Sequence, residues 1–241
     1  MELEPKISLI IPAYNEERYL TACLESVLRN ASTQLFEIIV IDNASTDQTA
    51  KIATSFSGVR VVREEQKGLT RARQRGFTEA RGDILAYIDA DTRLPLGWIE
   101  QVLTEFRREP NLASLSGPYI YYDLDPFQQL LIKFYWSILA WPSYLIIGYL
   151  LVGGNFAIRK EVLTKMNGFD TSIEFYGEDT NIARRAKSFG LVKFKLSFFI
   201  YSSARRLKGQ GFIKTAWLYI VNFLSEVLRQ KPATSNYQDL R

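Results

Sequence analysis

Over the first ninety residues the apolar positions switch repeatedly between a short continuous run and a helical spacing. Ile7 to Ile11 is an apolar run stopped by Pro12, and from Glu16 to Arg29 the residues Leu20, Leu24, Val27 and Leu28 fall on one helical face. The unit recurs. Phe36 to Ile41 reads as a second strand, followed by DNASTDQTA, in which Ser45 or Thr46 can cap a helix reaching about Phe56. Val59 to Arg63 is a third strand. After Gly68, Leu69, Ala72, Arg73, Gly76, Phe77 and Ala80 keep helical spacing, and Gly82 ends that helix before the run Ile84 to Ile88. Short apolar strands joined by helical crossovers predict an α/β fold with a Rossmann-like, mainly parallel sheet, flanked by helices and with its strand tips gathered at one edge.

The second half is less regular. Trp98 to Arg107 reads as a helix and Leu112 to Ser116 as a strand. Residues 134–158 then form 25 consecutive uncharged positions, FYWSILAWPSYLIIGYLLVGGNFAI, long enough on paper to cross a bilayer. Glu161 to Met166 predicts a short helix, Gly168 to Asp170 a turn, Glu178 to Phe189 a helix, Leu191 to Leu196 a strand and Phe212 to Leu228 an amphipathic helix. Thus a helical insertion and a C-terminal helix are added to the α/β unit. The expected organisation is one domain over residues 1–230 with a loosely ordered tail, 231–241. The amino terminus, MELEPKISLIIPAYNEE, starts with acid and offers only five apolar residues before Pro12, so it reads as strand entry and not as a signal peptide.

Composition narrows the chemistry. The chain has no histidine, which removes imidazole acid/base chemistry, His-dependent triads and His-rich zinc sites, and leaves carboxylates as the proton acceptors near neutral pH. The single cysteine, Cys23, lies in an amphipathic helical pattern; it excludes an internal disulfide and reads as an apolar filler. A net charge of +4 fits an anionic ligand or a membrane surface as well as nucleic acid, while an aromatic content of 13 % asks for a use beyond an ordinary core.

The run Ile84 to Ile88 ends in Asp89, Ala90 and Asp91, so a buried strand delivers two carboxylates to its own tip, where ligands collect in open α/β sheets. A turn with solvated aspartates is the plain alternative. A dinucleotide fold would place Gly-x-Gly-x-x-Gly after the first strand, but Pro12, Ala13, Tyr14, Asn15 and Glu16 stand there, which argues against NAD. The same acidic loop argues against nucleotidyl transfer, which wants a glycine-rich basic one.

Taken in order, PAYNE after strand one, DNASTD after strand two, DAD after strand four and Glu178-Asp179 at a helix start resemble the inverting glycosyltransferases of family 2, with the GT-A fold, over roughly residues 6 to 190. The resemblance implies that residues 1–118 bind a nucleotide sugar and that 119–230 face the acceptor and a membrane. It implies that Pro12, Ala13, Tyr14 and Glu16 line the base and ribose, and that Asp42 accepts from a uracil or guanine N–H. Lys67, Arg71 and Arg73 match the family's basic segment facing the diphosphate. Asp89 and Ala90 would contact the donor, with Asp89 on the ribose, and Asp91 would hold Mg²⁺ or Mn²⁺, a hard cation that takes oxygen ligands. Gly153, Gly154, Asn155 and Glu178 would lie near the sugar and acceptor, and Asp179 would be the general base. For several of these residues a plainer role stays open: an Asx turn for Asp42, a solvated helix face among the three basic residues, and helix-dipole preference for Glu178.

The expected reaction is metal-assisted transfer with inversion from a nucleotide sugar, a UDP-sugar first, to a glycan or lipid-linked acceptor. Nucleotidyl transfer and a non-catalytic membrane-surface module remain the alternatives. A single crossing by residues 134–158 would separate Asp91 from Asp179, so the segment is expected either as a buried helical pair broken near Pro142 or as an interfacial element. Arg205 and Arg206, after a serine pair, are expected either over the phosphates or facing acidic lipid; with the aromatics in that segment and the C-terminal helix, the lipid reading predicts peripheral membrane contact through 127–152 and 205–228, at the cytoplasmic face of the cell membrane. No nucleic-acid partner is expected.

Overall fold

The computed structural model describes residues 4–31, 33–173 and 175–234. Its first half follows the periodicity. Strands β1 (Ile7–Ala13), β2 (Glu37–Asn43), β3 (Val59–Glu64) and β4 (Ile84–Ile88) alternate with helices α1 (Leu20–Ala31), α2 (Thr49–Thr54) and α3 (Leu69–Glu79). All seven residues of β1 are buried, because the sheet is covered on both faces. Ile7, Leu9 and Ile11 pack with Leu20, Leu24 and Val27 of α1, while Ile10 meets Ala72 and Tyr87 on the other side. Each such side chain contributes roughly 1.5–3 kcal/mol on burial. Cys23 lies inside the first cluster, and burial pushes its thiol up to about 12, as an apolar filler requires.

The chain continues through β5 (Thr92–Arg93), α4 (Trp98–Arg108), β6 (Leu112–Ser116), β7 (Tyr119–Tyr121), α5 (Pro126–Phe134), a π-helical segment (Tyr135–Ala140), α6 (Trp141–Ile147) and β8 (Asn155–Arg159). After these come α7 (Lys160–Lys165), α8 (Glu178–Lys187), β9 (Leu191–Phe194), β10 (Ile200–Ser202), α9 (Arg205–Gln210) and α10 (Phe212–Arg229). The main sheet has the order β3-β2-β1-β4-β8-β6-β9, and a small sheet the order β5-β10-β7. The main sheet is mainly parallel, but β8 runs antiparallel to both β4 and β6. That reversal matters for the site. Ile88 pairs with Asn155, so the residues entering β8 stand beside the tip of β4.

The apolar stretch resolves into two structures. Its end is the buried strand β8, and its beginning belongs to a continuous helical run, Pro126–Ile147, whose most apolar window is only 6 % buried. This corrects the expectation of a buried helical pair broken near Pro142. The helix does not break, because Pro142 lies in the first turn of α6 and the wider π turn just before it accommodates the missing N–H. Asp125 caps the run by accepting from Gln128 N–H, and Gly148 ends it in a left-handed conformation at φ 78°. One side rests on the domain through Trp136 and Tyr144 against Phe194. By length and composition the run could cross a membrane, but β7 and β8, before and after it, are packed together through the Tyr119 hydroxyl and Gly154 N–H.

Of the tail, Ala233 and Thr234 donate their N–H groups to Asn222 Oδ1 at 2.9 and 3.1 Å, and residues 235–241 lie outside the described residues.

Candidate active site

The tips of β1 and β2 lie side by side, with Ala13 opposite Asp42, and the loops beyond them are laced together. Asn15 takes the left-handed conformation at φ 50°, which asparagine tolerates, and so turns its amide back toward the second loop. Asn15 N–H donates to Ser45 Oγ (3.0 Å), Thr46 N–H to Asn15 Oδ1 (2.9 Å) and Glu16 N–H to Thr49 Oγ1 (2.7 Å). Ser45 and Thr46 therefore join the loops and do not cap α2; at that helix start, Asp47 Oδ1 accepts from Thr49 N–H at 2.9 Å. Pro12 and Ala13 are buried and shape the loop from beneath. Tyr14 stands at the surface of this platform with the Lys67 ammonium 3.9 Å from its ring centroid.

Asp42 is 1 % exposed and has two partners. It accepts from Ser45 N–H, three residues on, at 3.2 Å and pairs with Arg63, its register partner on β3. Asn43 anchors the basic segment by accepting from Gly68 N–H (2.8 Å) and donating to the Gln66 carbonyl (2.8 Å). Arg71 is exposed and donates to Gln66 Oε1, so it occupies the solvated helix face.

Arg73 departs from its expected place. It lies on the inward face of α3, 1 % exposed, with Nη1 2.5 Å from Glu178 Oε2, Nη2 3.5 Å from Asp89 Oδ1 and Nη2 donating to the Gly153 carbonyl at 2.7 Å. It joins the tip of β4 to the start of α8 from below, and does not reach outward to a diphosphate. Gly153 and Gly154 explain themselves here. A Cβ on Gly153 would stand 2.5 Å from Glu178 Oε1, and one on Gly154 would overlap Asp89 Oδ2 and the Tyr119 hydroxyl. Tyr119 donates to Asp89 Oδ2 (3.1 Å) and accepts from Gly154 N–H (2.8 Å).

Asn155 needs correction. It is fully buried, accepts from Trp98 Nε1 at 2.9 Å and donates to the carbonyls of Gly117 (3.0 Å) and Phe198 (2.8 Å). Its amide locks the junction of the two sheets and faces no acceptor. Ala90 likewise turns its methyl into the core cluster. Glu16, expected at the ribose, is buried and pairs with Arg205, whose Nε also lies 2.8 Å from Asp91 Oδ2.

The three acids around Arg73 outnumber it. Burial, with Asp179 and Asp89 nearby, pushes Glu178 up to about 7 against the pull of Arg73. Asp179 is half-buried, and burial raises it above the usual carboxylate range although Thr180 N–H, 2.8 Å from Oδ1, opposes the shift. A carboxylate so placed has more basicity than one in water. Two tyrosines feel its charge: the Tyr135 and Tyr219 hydroxyls are raised by burial and, in smaller part, by Asp179, and Tyr219 meets Tyr176 edge-on at 5.8 Å. The Arg206 guanidinium covers the Phe175 ring at 4.3 Å.

A divalent cation would find a well-placed protein carboxylate in Asp91. No group of three acidic, Cys or His ligands gathers among the described residues. Hard oxygen from Asp91, completed by diphosphate oxygens and water, suits Mg²⁺ or Mn²⁺, which habitually bind through one or two carboxylates and substrate phosphates.

The profile of Glycosyl transferase family 2 matches residues 8–167. The chain belongs to glycosyltransferase family 2. It is 35 % identical over 113 residues to the putative glycosyltransferase EpsH of Bacillus subtilis, covering 45 % of this chain and 33 % of that protein. It is 35 % identical over 176 residues to dolichol-phosphate mannosyltransferase of Pyrococcus furiosus, covering 66 % of this chain and 47 % of that protein. The family 2 chain thus spans between a third and just under half of the length of these relatives. Among solved structures, the Pyrobaculum calidifontis mannosyltransferase in complex with GDP-mannose and Mn²⁺ superposes with a TM-score of 0.71 at 18 % identity, over 97 % of this chain and 67 % of that one. At that identity the likeness concerns the fold, which is of the GT-A type.

Sequence reasoning missed Arg63, Asn43 and Tyr119. Arg63 was within reach, because pairing β2 with β3 in register sets it opposite Asp42. Tyr119 carries no signal of its own, since only the reversal of β8 brings Gly154 and Asp89 to it.

Proposed function

We propose that this family 2 chain transfers a sugar, with inversion, from a nucleotide sugar to a hydroxyl of a glycan or lipid-linked acceptor. One observation carries the reading: the buried Arg73 ties Asp89, at the tip of β4, to Glu178 beside Asp179, so the donor carboxylates and the candidate base share one cleft. In the proposed step Asp179 takes the acceptor proton as that oxygen attacks the anomeric carbon, and the bond to the nucleoside diphosphate breaks on the opposite face. Asp42, Tyr14 and the laced loops hold the base, Asp42 accepting from the N–H of uracil or guanine. Asp91 holds Mg²⁺ or Mn²⁺, which when bound neutralises charge on the departing diphosphate. GDP-mannose and Mn²⁺ in the similar archaeal structure support the donor class and the metal. The rings of Tyr135 and Tyr219, near enough to feel the Asp179 charge, suit the apolar faces of sugar rings. Calorimetry with UDP-, GDP- and dTDP-sugars and Mn²⁺ tests the proposal; binding of none of them overturns it.

We place the chain peripherally on the cytoplasmic face of the cell membrane. Phe127, Leu130, Leu131, Phe134, Ile138 and Leu145 form an exposed stripe at helical spacing along α5 to α6, and α10 exposes Trp217, Leu224 and Leu228. A lipid-linked acceptor would be presented there, as the name of the Pyrococcus relative illustrates for that protein. Flotation with anionic vesicles at low salt is the check. Protein that stays with the soluble fraction contradicts the placement.

A further inference from the structure

Arg205 sits where the donor's diphosphate and metal are expected, and the fold puts it there. β10 pairs with β5 so that Ser202 lies opposite Thr92, next to the tip of β4. The chain leaving β10 is then pinned by Asp123, which accepts from Ala204 N–H at 2.7 Å and Ser203 Oγ at 3.1 Å. From this fixed point the Arg205 guanidinium reaches Asp91 through Nε (2.8 Å) and Glu16 through Nη1 (2.8 Å) and Nη2, while covering the Tyr19 ring at 4.8 Å. Glu16 belongs to the first donor loop and Asp91 to the end of β4, so one guanidinium closes the cleft between them.

We propose that Arg205 is a resident cation exchanged between the protein's carboxylates and the donor's diphosphate, and that it makes metal loading depend on the nucleotide. The inference rests on the donor site proposed above. A guanidinium and a divalent cation compete for the single charge of Asp91, which is 8 % exposed. Metal alone must take Asp91 from Arg205 Nε and set a second cation beside a largely buried guanidinium that keeps only Glu16, which is costly. A metal arriving with a diphosphate brings the counter-charge with it. Asp91 then passes to the metal, and the planar fork of Arg205 turns to phosphate oxygens, which it fits as well as it fits a carboxylate. Arg205 is a donor-binding residue in this scheme.

The test uses two bindings whose signs must diverge. Mn²⁺ alone is titrated by the electron paramagnetic resonance signal of the free ion, and UDP and GDP are titrated by calorimetry in the presence of chelator. Arg205→Gln is expected to raise the affinity for Mn²⁺ alone by about tenfold or more, and to lower metal-free affinity for the nucleoside diphosphate that binds by a similar factor. Arg205→Lys, which keeps the charge and loses the fork, should fall between wild type and Arg205→Gln in both, and it replaces the Gln variant if that one does not fold. Adding Asp91→Asn should abolish the gain in Mn²⁺ affinity. Unchanged Mn²⁺ affinity, or both affinities moving the same way, overturns the exchange. Failure of wild type to bind UDP or GDP even with Mn²⁺ counts against the donor site itself.

Discussion

Replacing Arg73 with methionine removes the cation that ties Asp89 to Glu178 and leaves a side chain of similar length in its place. Glu178 then loses a partner at 2.5 Å, Asp89 one at 3.5 Å and the Gly153 carbonyl a donor at 2.7 Å. Breaking a buried ion pair from one side costs about 3–5 kcal/mol. For a chain of this size each kcal/mol shifts the melting midpoint by about 2–4 °C, so Arg73→Met should melt roughly 6–20 °C below wild type at pH 8. The loss should shrink at pH 5, because Glu178 holds its proton up to about 7 even beside the arginine and needs no cation when neutral. Circular dichroism melts at the two pH values measure this. A midpoint within about 2 °C of wild type at pH 8, or an equal loss at both pH values, would refute the assignment of Arg73 as the counter-ion of the cleft.

The same geometry makes further predictions. In Gly154→Ala the new methyl would overlap Asp89 Oδ2, so Asp89 and Tyr119 must move; stability should fall by about 1–3 kcal/mol and donor affinity measurably with it. Donor affinity equal to wild type would show that Asp89 does not contact the donor. Glu178→Gln removes a titration: the folded carboxyl keeps its proton to about 7, the unfolded one to about its ordinary 4.5, so the folded state binds the extra proton between these values. That contribution to stability is present below about 4.5 and lost as pH rises through about 7. The melting temperature of wild type relative to Glu178→Gln should therefore fall from pH 5 to pH 8, and a rise would contradict the buried, protonated reading.

The strands most legible in the amino-acid pattern are those whose burial is uniform. Strands β1, β2 and β4 are largely apolar runs flanked by turn residues, so Ile7–Ala13 and Ile84–Ile88 stand out, and with them the position of Asp89 and Asp91, whereas the half-buried β3 is marked by its valines between charged residues. Strand β8 is hidden because Asn155–Arg159 follows an equally uncharged helix, and period alone does not separate a buried strand from an apolar helix. Pro142 argues for a break that the π turn at Tyr135–Ala140 absorbs. Strands β5, β7 and β10 hold only two or three residues each, too short for a pattern, and it is their pairing that carries Arg205 to Asp91. Family resemblance places Asn155 at the acceptor; its neighbours Gly153 and Gly154 pack against Arg73, Glu178 and Asp89, while its own amide is satisfied inside the protein.

The central claim is that Asp179 removes the acceptor proton in a cleft whose donor site is built independently of it. The most direct measurement is Asp179→Asn, with nucleoside diphosphate release from the bound nucleotide sugar and nucleotide affinity determined on the same preparation. The account predicts affinity within a few-fold of wild type and a fall in turnover of roughly 10²–10⁴. Turnover retained at the wild-type rate, with the nucleotide still bound, would contradict it.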